Sequence, residues 1–231
     1  MHYAQVIQGM FIRRLNRFVA EVEIDGRIEK VHVKNTGRCK ELLVPGATVH
    51  LEVFLNRARK YRHSLIAVDK NGMLVNIDSQ APNTVVYEAL LSGQVAELGD
   101  VHTVKREVGF GNSRFDLYFE RNGRQGFMEV KGVTLEQDGI AMFPDAPTAR
   151  GRKHVLELAE AVKEGYEGIV LFLVQMKGCR LFTPHVQMDR PFAEALKEAA
   201  NAGVRVLACD SLVTGTDIRF GKPLPVDLNG C

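Results

Sequence analysis

"SRFDLYFERNGRQGFMEVKG", residues 113–132, decides how this chain is read. Asn122-Gly123 separates two runs rich in Phe, Leu, Tyr, Met and Val. A two-residue type I′ turn needs positive φ at both central positions, which this pair tolerates best. With these two residues as the loop, Arg121 pairs with Arg124. Counting back along both strands then sets Asp116 opposite Glu129, with Cβ atoms about 5 Å apart. Lys131 shares the Glu129 face because strand side chains alternate. A strand that should offer a core an apolar stripe therefore offers an acid and a base.

Two carboxylates at that distance repel by about 3 kcal/mol at an effective dielectric near 20. A divalent cation turns the repulsion into a ligand set. Mg²⁺ in particular is held by one or two carboxylates, with water and phosphate oxygens in its other positions. On that reading Asp116 and Glu129 hold Mg²⁺ or Mn²⁺, while Lys131 orients or helps deprotonate a water and steadies charge on a phosphate. The same three residues also suit a solvated hairpin face with one balancing lysine. A slip of one residue in register removes the opposition altogether.

Upstream of "SQAPNT", residues 79–84, the pattern is all strand: "RFVAEVEI", "RIEKVHVK", "ATVHLEVFL", "HSLIAVD" and "MLVNID", with Asp25-Gly26 and Asn71-Gly72 as hairpin turns. Five short strands suit a small OB-like β-barrel over residues 1–81, an architecture that grips nucleic acid elsewhere. This half carries 13 Lys and Arg against 8 Asp and Glu, a net of +5, whereas residues 82–231 carry 17 against 20, a net of −3. The overall +2 hides that asymmetry. The basic residues cluster in two loops. One holds Lys34, Arg38 and Lys40; the other holds Arg57, Arg59, Lys60 and Arg62 around Tyr61. Basic side chains beside an aromatic platform suit a phosphate backbone with stackable bases, and they also suit a merely solvated loop. The barrel half offers no recognition helix for major-groove readout.

Downstream, helices join the strands. "PNTVVYEALLSG" has Pro82 at a helix start and Gly93 at its stop. The strand "VHTVKREVGF" and the hairpin follow, then a helix over 148–163, the strand "GIVLFLVQ", the helix "RPFAEALKEAANAG" and the strand "VRVLACD". This predicts an α/β (α+β) chain whose second domain, 82–231, has a mixed central sheet flanked by helices. In the helix that follows "PDAPT", Val155, Leu158 and Val162 form the buried stripe, and Asp145 and Pro147 read as helix-start residues. Arg150, Lys153 and His154 lie off that stripe, to hold a phosphate or DNA strand or simply to face water.

Composition narrows the rest. With 231 residues, 45% hydrophobic and 25% charged, the chain can bury a full core. "GIVLFLV" is of strand length, and the first residues show no basic-then-apolar leader pattern, so a cytoplasmic protein with no membrane span is expected. Cys39, Cys179, Cys209 and Cys231 lack Cys-x-x-Cys spacing, which predicts reduced thiols. A Rossmann-type enzyme is disfavoured because no strand precedes Gly-x-Gly-x-x-Gly.

The order of elements, with Asp116 on one strand and Glu129-x-Lys131 on the next, is similar to the PD-(D/E)xK restriction-endonuclease-like fold, with Phe115 in place of the proline. That resemblance implies a metal-binding Asp and Glu and a catalytic Lys, and it makes Glu88 on the first helix a further acidic metal ligand. "NTGR", "ELLVPGA", "GNSRFD", "EVKGVTL" and "FPDAPTARGRKH" followed by "LFLVQ" resemble the bacterial sugar fermentation stimulation protein A family nearly end to end, with Cys39 where methionine is expected. The resemblance implies an OB-like domain joined to a restriction-endonuclease-like domain, non-specific DNA binding and a link to maltose metabolism. The leading expectation is a DNA-binding protein with an intact Mg²⁺- or Mn²⁺-dependent phosphodiesterase site. The alternatives are a non-enzymatic DNA-binding regulator and a sugar or nucleotide sensor. The sequence leaves the oligomeric state open.

Overall fold

Period-two alternation and turns of Asp-Gly or Asn-Gly build the first half of the molecule. In the computed structural model, which describes residues 1–35, 37–56 and 58–230, six strands form it. They are β1 (Val6–Asn16), β2 (Val19–Ile24), β3 (Arg27–Val33), β4 (Thr48–Val53), β5 (His63–Lys70) and β6 (Met73–Asn76). The ring closes in the order β1-β2-β3-β5-β4, with β3 and β5 parallel at His32↔Ser64 and Val33↔Leu65. That is an OB-like barrel, with β6 added outside the closure on β5.

The expected five strands omitted β1 and counted β6. Two register shifts break the alternation of β1, and Gly9 sits where a Cβ would collide with Val22 and the Glu23 carbonyl. A glycine inside a strand hides its pattern but admits the neighbouring chain.

Next come α1 (Ala81–Leu91), β7 (Thr103–Phe110), β8 (Ser113–Arg121), β9 (Arg124–Val133), β10 (Leu135–Gln137), β11 (Ile140–Phe143), α2 (Ala149–Lys163), β12 (Glu167–Val174), β13 (Leu181–Pro184), α3 (Arg190–Asn201), β14 (Arg205–Val213) and β15 (Ile218–Pro223). The main sheet runs β15-β14-β12-β9-β8-β7, parallel across β9-β12-β14 and antiparallel at both ends. One face buries Leu117, Phe119, Met128 and Val130 with Val85, Val86 and Leu90 of α1. The other buries Phe115, Phe127, Phe172 and Phe192 with Val155 and Leu158 of α2. Each such side chain contributes about 1.5–3 kcal/mol by leaving water.

The sequence reading omits β15 and the small sheet β10-β11-β13. The three strands of that sheet are 3 or 4 residues each, too short for periodicity to register. Helix α2 is capped by Thr148, whose hydroxyl accepts from the Gly151 amide, and not by Asp145, which packs against Gly37. Cys39, Cys179 and Cys209 are free and buried; Cys231 lies outside the described residues. Among the described residues no helix is long and apolar enough to cross a membrane.

Candidate metal centre and nucleic-acid groove

The hairpin turn forms as its residues require, with Asn122 at φ 47° and Gly123 at φ 72°. Arg121 pairs with Arg124, and the register continues to Leu117↔Met128. There the ladder stops. Asp116 does not take the next rung opposite Glu129; its Oδ2 accepts a 2.8 Å hydrogen bond from the Val130 amide, in place of a strand carbonyl. On the other side, Glu107 of β7 adopts φ 56°, and pairing with β8 skips from Arg106↔Leu117 to Val108↔Phe115. Asp116 therefore sits just past the end of the β9 ladder and at a skipped rung of the β7 ladder, which resumes at Phe115. Its Oδ1 accepts from Asn83 Nδ2 of α1 at 2.8 Å.

Strand β9 alternates as expected, and this explains its charged pair. Met128 and Val130 enter the α1 core, while Phe127, Glu129 and Lys131 face α2. Glu129 is 2% exposed. Its Oε1 accepts from Lys131 Nζ at 2.5 Å and from His154 Nδ1 at 2.6 Å. Its Oε2 is buried with no hydrogen-bond partner among the described residues. Gly132 follows because a Cβ there would run into Gln175 and Pro82.

Burial, then the nearby Glu129 charge, raises the Asp116 carboxyl above its ordinary value, against opposing pulls from the Val130 amide, Lys131 and Asn83. Burial also pushes Glu129 upward, but hydrogen bonds from His154 and Lys131 with the charge on Lys131 outweigh it and hold Glu129 below the usual range. A raised folded-state carboxyl favours folding while it is protonated; that contribution is complete below the unfolded value near ~3.9 and is lost as pH rises through the folded one. In chelator the wild type is thus expected to gain urea resistance relative to Asp116→Asn as pH falls from 7, because only the wild type takes up a proton here. A midpoint gap that stays constant with pH would contradict the raised carboxyl.

The donor set fits a hard divalent cation: one buried carboxylate oxygen lacks a partner, and a second carboxylate beside it is held charged at a cost. Among the described residues no group of three or more His, Cys, Asp or Glu gathers as a metal cage. Two carboxylates alone would suit an ion that keeps waters and substrate oxygens. Glu88, expected as a third, lies elsewhere and accepts from the N-terminal ammonium at 2.7 Å. Five residues along a helix is well over a full turn, so Glu88 leaves the face that carries Asn83.

The other expected residues separate into groups. Lys34 is not available to a phosphate: its Nζ lies 2.7 Å from Glu52 and 3.0 Å from the fully buried Asp78, between the Tyr3 and Phe54 rings. Arg38 and Lys40 line a groove of about 650 Å³ with Arg14 and Arg17, and with Ala146 and Pro147 from just before α2. Arg14 donates to the carbonyls of Asn35, Gly37 and Arg38 and so staples this loop to β1. Arg59 stacks on Phe54 at 3.6 Å and Lys60 lies over Tyr61, with Arg62 exposed beside them; Arg57 lies outside the described residues. Arg150 and Lys153 are exposed on α2, and Lys153 donates to the Asn112 carbonyl of the β7–β8 turn. His154, expected on an open face, is instead 7% exposed and bonded to Glu129. The sequence reading missed Asn83, Arg14 and Arg17; the run "RRLNR" signals the two arginines.

Comparison with known proteins agrees with this architecture. The family model described as "Sugar fermentation stimulation protein RE domain" matches residues 80–217, and "SfsA N-terminal OB domain" matches residues 12–77. The chain is 54% identical over 232 residues to a sugar fermentation stimulation protein homolog of Alkaliphilus oremlandii, covering 98% of this chain and 99% of the relative. It is 50% identical over 224 residues to a homolog so named from Clostridium botulinum strain Langeland, covering 96% and 97%. The solved structure of Pyrococcus furiosus SfsA in complex with Ca²⁺ matches with a TM-score of 0.89 at 30% identity, over 98% of each chain. The chain belongs to the sugar fermentation stimulation protein family.

Proposed function

We propose that the protein is a divalent-metal-dependent phosphodiesterase acting on DNA that it grips with little sequence preference. The observation that carries this reading is Glu129, buried, with one oxygen engaged twice and the other without a partner beside Asp116. The Ca²⁺ complex of the Pyrococcus furiosus relative supports a hard cation in this fold; Mg²⁺ or Mn²⁺ is proposed as the working ion here. Asp116 and Glu129 would hold the ion, which when bound supplies Lewis-acid polarisation of a phosphoryl oxygen and acidifies a water. Asn83 and the Val130 amide fix the Asp116 carboxylate. Lys131, 17% exposed, reaches the site with its ammonium, to orient the attacking water and offset charge developing on the phosphate.

Pro147 on the lining of the groove of Arg17, Arg38 and Lys40 is three residues before Arg150, whose side chain meets His154 against Glu129, and this supports a track shared by groove and carboxylates. Groove binding makes a checkable claim about salt. Arg38→Ala and Lys40→Ala are each expected to lower the slope of log affinity against log salt by about 0.9 on duplex DNA or 0.7 on single strands. A Lys34→Met protein shown to be folded should leave the slope alone, since the Lys34 ammonium is already spent on Glu52 and Asp78. An unchanged slope in the first two variants would move the DNA track elsewhere.

The activity test is cleavage of supercoiled, linear, single-stranded and branched DNA with Mg²⁺ or Mn²⁺. The reading expects nicking that chelator abolishes. Binding without cleavage on all four substrates would leave DNA occupancy, without hydrolysis, as the function.

A further inference from the structure

We infer that His154, steered by Arg150, is the positioning residue that orients Glu129 for its cation. This rests on the proposed role of Glu129 as a ligand and adds a residue that acts through it. His154 and Glu129 side chains are 8% and 3% exposed, and their 2.6 Å contact is to Oε1 alone. Arg150, one turn earlier on α2, places Nε 3.4 Å from His154 Nε2. A guanidinium has no lone pair to offer, so Nε2 must accept, and the single imidazole proton sits on Nδ1, directed at Glu129. The Phe115 ring stands at 84° to the imidazole with centroids 6.4 Å apart, limiting its rotation. Thr148 and Asp189 anchor the start of α2: Asp189 accepts from the Thr148 amide at 2.7 Å and also caps α3.

The consequence lies in which oxygen is left open. Lys131 and His154 both donate to Oε1, so the carboxylate cannot rotate without losing two hydrogen bonds, and Oε2 stays free. The imidazole, held between α2 and β9, adds a second directed hydrogen bond to the same oxygen and so fixes the carboxylate's orientation. The spacing Arg150-x-x-x-His154 is what brings the two side chains onto one helix face.

The test is calorimetric titration of the full chain with Mn²⁺ and with Ca²⁺. His154→Ala is expected to weaken binding by about 10- to 100-fold. His154→Asn, whose amide N–H falls close to the place of Nδ1–H, should recover most of that loss. Arg150→Ala, a change at an exposed side chain, should weaken binding by less than His154→Ala does, by releasing the imidazole from its partner. Imidazole ¹⁵N spectra of the wild type should show a protonated Nδ1 and an unprotonated Nε2. Wild-type affinity in His154→Ala, a protonated Nε2, or no recovery in a folded His154→Asn protein overturns the inference while leaving the phosphodiesterase reading in place. A wild type that binds neither ion overturns both.

Discussion

Glu129→Gln is expected to slow metal-dependent DNA cleavage by at least about a thousandfold while DNA affinity stays the same or rises slightly. Glutamine has nearly the same shape, so the cost comes from charge and from hydrogen-bond polarity. Lys131 and His154 both donate toward one oxygen of this side chain, and the amide oxygen must turn to meet them. The amide NH₂ then lies where the free oxygen was, presenting protons to the cation position. Affinity should persist because the groove proposed to hold DNA is lined by Arg17, Arg38 and Lys40, on other elements, and because an anion near the phosphates would be removed. Rates are compared on supercoiled plasmid at matched occupancy. Activity within tenfold of the wild type would remove Glu129 from the ligand set.

The second large effect concerns stability. Lys34→Ala is expected to cost about 3–5 kcal/mol of unfolding free energy, the penalty for taking one member out of a buried ionic cluster. Asp78 is fully buried, and Glu52 and Asp78 would be left facing each other without the cation that separates them. Asp78 also accepts from the Tyr3 hydroxyl and the Gln80 amide, so its loosening spreads to the start of α1. Urea denaturation measures the loss as a lower midpoint, and a shift of under about 1 kcal/mol would mean that this pair is solvated in solution.

How much of this was legible follows from the range over which each signal acts. Turn chemistry is local, so Asn122-Gly123 and Asp25-Gly26 fixed their hairpins, and with them Glu129 and Lys131 on one face. Helices α1, α2 and α3 were readable from Pro, Gly and apolar spacing. Lys34 was misread because its partners stand 18 and 44 residues away, and composition cannot tell a paired lysine from a free one. His154 was misread for the same reason: only the packing of α2 on β9 reveals that its polar face meets a carboxylate. Asn83 carried no sequence signal at all, since a helix asparagine usually faces water.

The rung that Asp116 takes from Val130 has a consequence for which side chains this position can accept. Its carboxylate stands in for a backbone carbonyl, so the spacing of the two strands measures the side chain to the length of one methylene. Glutamate, equal in charge and kindred in chemistry, is too long for that gauge: it must either buckle off its rotamer or wedge β8 from β9. What looks like the mildest possible substitution is therefore a mechanical one, and the sheet, more than the chemistry, dictates aspartate here.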